Sequence, residues 1–343
     1  MSSEVTIVGA GIFGLACAWV LGRRGARVRV LEAERIGAGS SGGNVGALAP
    51  HAPEPWNAKK QIQLESLLAA EGFWREVAEA GGVDPGYGRI GRLQPVAPGE
   101  AAKAEARIAA ARAHWPEGMG MRLVDDPAGG LAGPGLWLHD GLSARLAPRR
   151  GLAALAAAIR AAGGVIEEGC GTLGPDRLRC PVVWATGAPG LAVLAAETGE
   201  AGAGTGVKGQ SALLALPGSH GPQLYCDGLL IVPHADGTVA VGSTAERDFA
   251  DGRATDAGLE EVIARARAAV PALREAPVVD RWAGVRPRAP LRAPLVGPWP
   301  GRPGHLVANG GFRIGFGMAP WVAGALADLV LGGPDRVPPD WRP

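Results

Sequence analysis

The sequence predicts an α/β protein in which a domain with a parallel sheet is interleaved with a second domain on a mixed or antiparallel sheet. A strand, a glycine-rich turn, a helix and a second strand follow one another in residues 5–32, the length that a βαβ unit requires. Short apolar runs typical of buried strands recur near the C-terminal end, whereas the middle of the chain contains a hairpin pattern. The 343 residues, 47% apolar and 20% charged, suffice for two domains.

The first unit consists of an apolar strand at Val5–Val8, a helix at Ile12–Arg24 that ends before a glycine, and a second strand at Arg27–Leu31. The turn between the first strand and the helix has the pattern GxGxxG, formed by residues 9–14. In this pattern Gly9 permits the tight turn, Gly11 lets a pyrophosphate approach the backbone, and Gly14 lets the helix pack on the strand. The free N–H groups at the start of the helix favour a phosphate.

Glu32 closes the second strand, 18 residues after the last glycine of the motif. A carboxylate at this distance accepts hydrogen bonds from the hydroxyls of an adenosine ribose and repels a 2′-phosphate. The unit therefore predicts a dinucleotide other than NADP. The βαβ unit alone does not distinguish NAD from FAD.

Further elements follow from periodicity and from turn residues. The hairpin at 229–241 turns at Asp236-Gly237, a strong hairpin signal. Pro320 is expected in the first turn of the last helix, where a missing N–H costs nothing. The other predicted helices are Gln61–Ala80, Ala101–His114, Leu152–Ala162, Ala257–Val270 and Ala319–Leu331, and the other strands are Val182–Trp184, Val278–Val285 and His305–Ala308.

The loop at 37–55 is rich in glycine and serine and has no helical pattern, which indicates a functional segment. From this loop onward, the sequence resembles the D-amino-acid oxidase superfamily of flavoproteins, and within it the glycine oxidases. The motifs that carry the resemblance are residues 38–50, 182–188, 231–246, 282–287 and 309–320, spread over nearly the whole chain. It implies a Rossmann-like FAD-binding domain of the GR2-type flavoprotein fold and an α+β substrate domain. We expect the FAD-binding domain at residues 1–80, 143–200 and 301–343, and the substrate domain at 81–142 and 201–300.

The motif, the loop and the resemblance together predict the residues that bind FAD. These are Gly9, Gly11, Ile12, Phe13, Gly14, Glu32, Ala33, Ser40, Ser41, Asn44, Val45, Gly46, Thr172, Ala185, Thr186, Gly187, Gly311, Phe312, Arg313, Ile314, Gly315, Phe316, Gly317 and Met318. A helix that begins near Met318 would direct its N-terminal N–H groups at the flavin and stabilise the negative charge of its reduced form.

The resemblance also implies that Arg286 and Arg313 hold a substrate carboxylate over the flavin, while a hydride leaves the α-carbon for flavin N5 and the imine product hydrolyses in water. A bidentate guanidinium is the natural partner of a carboxylate. Both arginines stand among apolar residues, which favours buried, paired guanidinium groups. Arg288 is a rival of Arg286.

Several positions depart from the glycine oxidase pattern. Leu230 replaces a tyrosine whose hydroxyl shares the carboxylate, Gly311 replaces a histidine, and Ile314 replaces an asparagine. The leucine indicates a larger or less polar substrate than glycine. His51 and Gln210 are candidates for contact with the substrate, whereas His234 is expected on the surface of the hairpin.

Composition limits the other functions. A net charge of +1 does not favour nucleic acid or an anionic membrane, and no apolar run is long enough for a membrane span. Four cysteines without CxxC or metal-ligand spacing predict no metal and a reducing, cytoplasmic location. The predicted partner is a small amine or amino acid, and homo-oligomerisation stays open.

The predicted function is thus an FAD-dependent amine or amino-acid oxidase that breaks the C–N bond. Two alternatives remain: a D-amino-acid dehydrogenase with an acceptor other than oxygen, and a non-catalytic FAD-binding subunit of a larger complex.

Overall fold

The computed structural model describes residues 4–127, 129–178, 181–199 and 203–343. The strands are β1 (Glu4–Val8), β2 (Arg27–Leu31), β3 (Ala47–Leu48), β4 (Arg92–Pro95), β5 (Met121–Asp125), β6 (Leu136–Asp140), β7 (Ala144–Arg145), β8 (Val165–Glu167), β9 (Val182–Trp184), β10 (Thr205–Ala215), β11 (Gln223–Cys226), β12 (Leu229–Pro233), β13 (Thr238–Gly242), β14 (Val278–Arg288), β15 (Leu295–Pro298) and β16 (His305–Asn309). The helices are α1 (Ile12–Arg23), α2 (Ala58–Gly81), α3 (Ala101–His114), α4 (Pro148–Ala161), α5 (Gly187–Thr198), α6 (Ala257–Ala269) and α7 (Gly315–Leu331).

The first sheet has six strands in the order β15-β16-β9-β1-β2-β8, all parallel except β15. Val5 and Ile7 of β1 are completely buried, as in a strand covered on both faces. Val8 lies opposite both Leu31 and Trp184 in the neighbouring strands. The carboxyl ends of β1, β2 and β9 therefore meet at one edge of the sheet. The predicted β1–α1–β2 unit is confirmed to within one residue at each end.

The second sheet has eight strands in the order β14-β10-β13-β12-β11-β4-β6-β5. Its pairs are antiparallel except β11 with β4, so the sheet is mixed, as predicted. Helix α6 packs on it through Leu259, Val262 and Ile263, which bury themselves against Ala212 and Val241. Strands from both ends of the chain form the first sheet, and this interleaving confirms the predicted fold class. The exact division into domains stays a prediction.

The largest apolar core lies where α7 packs against α1 and α2. Trp74 of α2 is completely buried in it, and the Trp321 N–H of α7 donates to Ser66 Oγ at 3.2 Å. This packing fixes the start of α7 relative to the start of α1. Within the described residues, no helix has the length and apolar character that a membrane crossing requires.

Helix α7 begins at Gly315, earlier than the predicted start near Met318, because tertiary contacts override the low helix propensity of glycine. A Cβ on Gly317 would lie 3.3 Å from Leu67 Cδ2, so this glycine permits close packing on α2. Pro320 therefore lies inside the helix, and the prediction that it lies in the first turn is wrong. Its missing N–H removes one backbone hydrogen bond from the helix.

Two other elements differ from the prediction. Strand β14 continues to Arg288 and includes Pro287. It is an edge strand, where a proline is tolerated. Helix α5 was not predicted, because Gly187, Pro189 and Gly190 obscure its periodicity although proline is compatible with a first helical turn.

Candidate functional site

A cavity of about 560 Å³ lies between the two sheets. On one side it is lined by the strand ends Val8 and Trp184 of the first sheet, and on the other by Trp282, Gly284 and Arg286 of β14. Crevices at the carboxyl ends of parallel strands are where α/β proteins bind ligands.

The glycine turn between β1 and α1 adopts a geometry that side chains would prevent. Gly9 has φ +105°, and a Cβ there would lie 2.5 Å from the Ala185 carbonyl oxygen. A Cβ on Gly14 would lie 1.9 Å from the Gly9 carbonyl oxygen. Gly14 therefore packs helix on strand and does not line the cavity, whereas Gly9, Gly11, Ile12 and Phe13 do.

The start of α1 opens onto the cavity. Its N-cap residue Gly11 has no side chain to accept a hydrogen bond, and the first turn contains no acidic residue. The Ile12 N–H donates to Ser41 Oγ at 3.0 Å, so a loop hydroxyl stands at the helix end. The unneutralised N-terminus presents a partial positive charge to an anion in the cavity.

Glu32 lies at the predicted adenosine end of the cavity, beside Ala33. Its Oε2 accepts from the Ala10 N–H at 2.7 Å and its Oε1 accepts from the Glu34 N–H at 3.1 Å. These bonds orient the carboxylate and leave lone pairs on both oxygens for a ribose diol.

The loop after β2 lines the middle of the cavity with Ser40, Ser41, Asn44, Val45 and Gly46. Gly46 has φ +62°, and a Cβ on it would lie 1.7 Å from the Leu146 carbonyl oxygen. The predicted residues Thr172, Ala185, Thr186 and Gly187 also line the cavity.

The second sheet anchors this loop through Asn44. Asn44 Nδ2 donates to the Ser211 carbonyl oxygen at 3.4 Å, and the Asn44 carbonyl oxygen lies 2.9 Å from His234 Nε2. His234 is buried, contrary to the prediction of a surface residue, because the end of β12 packs against the loop. Burial lowers the pKa of His234, so the neutral ring donates from Nε2.

Arg286 is the buried cation of the site, with 8% of its surface exposed. Its Nη2 donates to Ser243 Oγ at 2.7 Å and its Nη1 to the Thr244 carbonyl oxygen at 3.2 Å, which are both neutral acceptors. Burial and the neighbouring charge of Arg313 lower the pKa of Arg286 to about 10, against the attraction of Glu246. A buried guanidinium held only by neutral groups favours the arrival of an anion.

Gly209 makes room for this guanidinium. A Cβ on Gly209 would lie 1.8 Å from Arg286 Nη2, so the arginine lies flat across β10.

Arg313 also lines the cavity, but it is exposed, and the prediction of a buried, paired guanidinium is wrong for it. The turn that carries it lies at the rim, where the guanidinium carbon is 5.5 Å from the centre of the Phe312 ring. Phe312 has φ +43°, a left-handed conformation that is rare for side chains with a Cβ and is associated with functional sites. The Phe312 N–H donates to the Pro287 carbonyl oxygen at 3.0 Å, which joins this turn to β14 beside Arg286.

The start of α7 is the second helix end at the cavity. Its N-cap Ile314 provides no capping side chain, and the first turn contains no acidic residue. Gly311, Phe312, Gly315 and Phe316 line the cavity.

Besides Gly14, three residues predicted to contact FAD do not line the cavity: Ile314, Gly317 and Met318. Because the helix has already started by Gly315, Gly317 and Met318 turn into the core, where Met318 is 1% exposed. Ile314 packs against the same core.

Leu230 and Tyr225 are cross-strand partners on β12 and β11, and both line the cavity. Tyr225 was not among the predicted site residues, because the short strand β11 has no clear sequence pattern. The rarity of tyrosine in this chain, which has two, could have drawn attention to Tyr225 as a candidate site residue. Tyr225 brings a phenol to the wall where Leu230 replaces one.

His51 and Gln210 do not line the cavity, so the suggestion that they touch the substrate is not supported. His51 is exposed, and its N–H donates to Gln63 Oε1. Gln210 is completely buried and binds Glu246 and Asp256 on the opposite face of β10. Arg288, the rival of Arg286, is likewise absent from the lining.

The residues present fit FAD. Two helix starts without an acidic residue face one cavity, as two phosphates and an anionic reduced ring require. Glycines at positions 9, 11 and 46 line the cavity at points where a Cβ would crowd neighbouring protein atoms, and a carboxylate stands at the predicted ribose position.

Comparisons with known proteins agree with this geometry. The family model "DAO: FAD dependent oxidoreductase" matches residues 4–329. The chain is 29% identical to glycine oxidase of Pseudomonas putida, over 99% of this chain and 97% of that protein. It is 33% identical to a putative thiamine biosynthesis oxidoreductase, ThiO, of Rhizobium etli, over 97% and 99% of the two chains.

Solved structures give the same fold. Glycine oxidase from Geobacillus kaustophilus superimposes with a TM-score of 0.84 at 24% identity, over 99% of this chain and 98% of that chain. Iminodiacetate oxidase from Chelativorans superimposes with a TM-score of 0.85 at 23% identity, over the same shares.

Proposed function

This chain belongs to the DAO family of FAD-dependent oxidoreductases, and we propose that it oxidises the C–N bond of a small amine that carries a carboxylate, an amino acid or a secondary amine. The observation that carries the proposal is Arg286, a buried guanidinium that opens onto the cavity and, among the residues that the structure describes, is held by neutral acceptors only. A substrate carboxylate supplies the missing anion and, by binding there, places the carbon next to it at a fixed position.

We propose that the turn at 9–14 and Glu32 hold the adenosine diphosphate half of FAD, and that the start of α7 lies at the flavin end. Bound FAD supplies the acceptor for two electrons from the substrate. The chain's contribution at that end is the partial positive charge of the uncapped helix start, which stabilises negative charge developing nearby.

Arg286 and Arg313 bind and orient the substrate in this proposal. Two guanidinium groups beside the amine also disfavour its protonated form, because like charges repel. The neutral amine has the lone pair that C–N oxidation needs, so no protein base is required. The imine product then hydrolyses in water.

Leu230 and Tyr225 form the wall that we propose contacts the substituent of the substrate. An apolar side chain at 230 favours a methylated or otherwise apolar substituent over a bare hydrogen, because it gives apolar surface a partner. We therefore propose N-methylglycine or a small apolar amino acid as a better substrate than glycine.

Anaerobic reduction tests the proposal. The purified holoprotein is mixed with glycine, N-methylglycine, iminodiacetate, a panel of D-amino acids and a polyamine, and the visible absorption of the flavin is followed. We expect bleaching by at least one carboxylate-bearing amine and none by the polyamine, which lacks a carboxylate. Failure of every carboxylate-bearing amine would contradict the proposal and favour a non-catalytic FAD-binding role.

Readmission of oxygen then separates the two enzymatic alternatives. Rapid return of the flavin absorption identifies an oxidase, whereas slow return that an artificial acceptor accelerates identifies a dehydrogenase.

We also propose a cytoplasmic location, which cell fractionation tests.

A further inference from the structure

A charged cluster lies behind Arg286, on the face of β10 that is turned away from the cavity. We call Lys208, Gln210, Glu246 and Asp256 the back cluster. None of the four lines the cavity. Successive residues of a strand point to opposite faces of the sheet. Lys208 and Gln210 therefore point away from the face of Gly209, over which the guanidinium of Arg286 lies.

The back cluster is closely bonded. Lys208 Nζ lies 2.6 Å from Asp256 Oδ2 and 3.3 Å from Glu246 Oε2, with 4% of the lysine side chain exposed. Gln210 Nε2 donates to Glu246 Oε1 at 2.9 Å and to Asp256 Oδ1 at 2.6 Å. The lysine is therefore the single ammonium that these two carboxylates share within the cluster.

The cluster is directly connected to the substrate arginine. Thr244 Oγ1 donates to Glu246 Oε1, and the carbonyl oxygen of Thr244 accepts from Arg286 Nη1 at 3.2 Å. Glu246 also attracts the charge of Arg286 through space, which is the one influence that raises the pKa of that guanidinium. The charge of the cluster is thus felt at the site where the substrate carboxylate binds.

All three charged groups of the cluster are ionised at neutral pH. The hydrogen bond from Lys208 holds the pKa of Asp256 at about 2, and the hydrogen bond to Asp256 raises the pKa of Lys208. Burial raises the pKa of Glu246, but bonds from Gln210, Thr244 and Lys208 outweigh it and leave that pKa lowered. One ammonium and two carboxylates give the cluster a net charge of −1.

We propose that Lys208 is a positioning residue that sets how strongly Arg286 binds a substrate carboxylate, because it limits the negative charge that stands behind that guanidinium. The inference rests on the proposed function. Without Lys208 the cluster carries −2, and this charge repels an incoming carboxylate across the sheet, most of all from the less exposed Glu246. Lys208 keeps the two carboxylates available for their hydrogen bonds without that penalty.

A charge series tests the proposal. Acetate, glycolate and benzoate, which have no amine to oxidise, are titrated into the holoprotein, and the visible spectrum of the bound flavin reports binding. Lys208→Met leaves the cluster at −2 and should weaken carboxylate binding about three- to tenfold. Lys208→Met combined with Glu246→Gln returns the cluster to −1 and should recover most of that loss.

Two variants that keep the lysine test the opposite sign. Asp256→Asn and Glu246→Gln each bring the cluster to zero, and we expect equal or tighter carboxylate binding, with the smaller effect at the half-exposed Asp256. If Lys208→Met does not accumulate as holoprotein, these two variants still test whether the charge of the back cluster sets carboxylate affinity. Lys103→Met, at an exposed lysine of α3 paired with Glu100, is the matched control and should leave binding unchanged.

The outcomes separate a charge effect from a structural one. Affinity that follows the net charge of the cluster supports the proposal. Affinity that falls with each hydrogen bond removed, so that the double variant is the weakest, overturns it, as does unaltered binding in Lys208→Met. Wild-type protein that binds none of the three carboxylates would overturn the proposed function itself, and with it this inference.

Discussion

The two ends of the cavity are built differently. At the proposed adenosine end, the turn at 9–14 offers backbone N–H groups and the space left by absent side chains. At the opposite end, the proposed substrate end, β14 and the 310–314 turn offer the side chains of Arg286 and Arg313. The first arrangement depends on backbone conformation and fails when a Cβ is added. The second depends on a charge held in a buried position by neutral neighbours. The two ends should therefore respond to different substitutions and in different measurements.

The largest effect is expected from Gly14→Ala at the adenosine end. The new Cβ would lie 1.9 Å from the Gly9 carbonyl oxygen, and neither backbone segment can move without opening the βαβ unit. We expect loss of FAD binding and a fall of more than about 3 kcal/mol in the free energy of unfolding, measured with urea.

Gly72→Ala is the control for that substitution, because a Cβ on this half-buried glycine of α2 would meet no neighbouring atom within 4 Å. It should stabilise the helix by about 0.5–1 kcal/mol. A Gly14→Ala protein that retains FAD and wild-type stability would contradict the role assigned to the turn.

Arg286→Ala should show the reverse pattern, with FAD retained and catalysis lost. Removing the buried guanidinium deprives the substrate carboxylate of its charged partner, so kcat/KM should fall about 100-fold, or about 3 kcal/mol. Steady-state kinetics measure the loss, and the flavin spectrum measures cofactor content.

Arg281→Ala on the same strand is the matched control, since that arginine is exposed and pairs with Glu260. It should leave kcat/KM within about twofold of wild type, as surface ion pairs contribute little. Equal kinetics in Arg286→Ala and Arg281→Ala would remove Arg286 from the site.

Gly209→Ala sharpens the comparison, because it adds a Cβ at the substrate end. The Cβ would lie 1.8 Å from Arg286 Nη2, the end of a flexible side chain that can move aside. Stability and FAD content should therefore change little, while carboxylate affinity falls about tenfold through a displaced guanidinium. A titration with acetate checks this, and a loss of FAD without a loss of carboxylate affinity would contradict it.

The smallest effect concerns His234, which joins the two ends by donating to the Asn44 carbonyl oxygen. Burial lowers its folded pKa below the ordinary 6.5, although Asp236 opposes the shift and Arg145 and Arg150 add to it. The unfolded chain then takes up a proton first as the pH falls, so this histidine's stability contribution is present above about pH 6.5 and is lost below it.

His234→Gln should consequently reduce the acid dependence of stability. Glutamine retains an N–H donor but does not titrate. The loss of unfolding free energy between about pH 7.5 and pH 5.5 should therefore be smaller in the variant than in the wild type. Urea unfolding at the two pH values measures it. An unchanged pH dependence would show that His234 titrates alike in both states.

The two ends also differ in how far the sequence predicted them. The adenosine end is local: β1, the glycines and Glu32 lie within 32 residues, and their spacing is sufficient to place them. The substrate end combines β10, β11, β14 and the turn after β16, so Arg286 and Arg313 were identified through a family resemblance. Tyr225 and Gly209 were missed, because their importance comes from a neighbour distant in sequence.

The errors have the same origin. The hairpin turn at 236–237 was predicted from its residues, but no local pattern indicated that His234 beside it would be covered by the loop at 44. Arg313 was expected to be buried from its apolar neighbours, yet the turn places it at the rim. Burial is a property of the whole fold, and it was least predictable where two sheets meet.

The strand order of the first sheet has a consequence for how the protein is made. Strand β9 lies between β1 and β16, so a ribosome-bound chain that ends before residue 305 lacks one neighbour of β9 and the whole of α7. Contacts across such separations form slowly, because a long loop must close before they contribute. Cofactor capture should therefore be a late event in biogenesis that waits for synthesis of β16 and α7, and the appearance of bound flavin would mark the moment at which α7 docks.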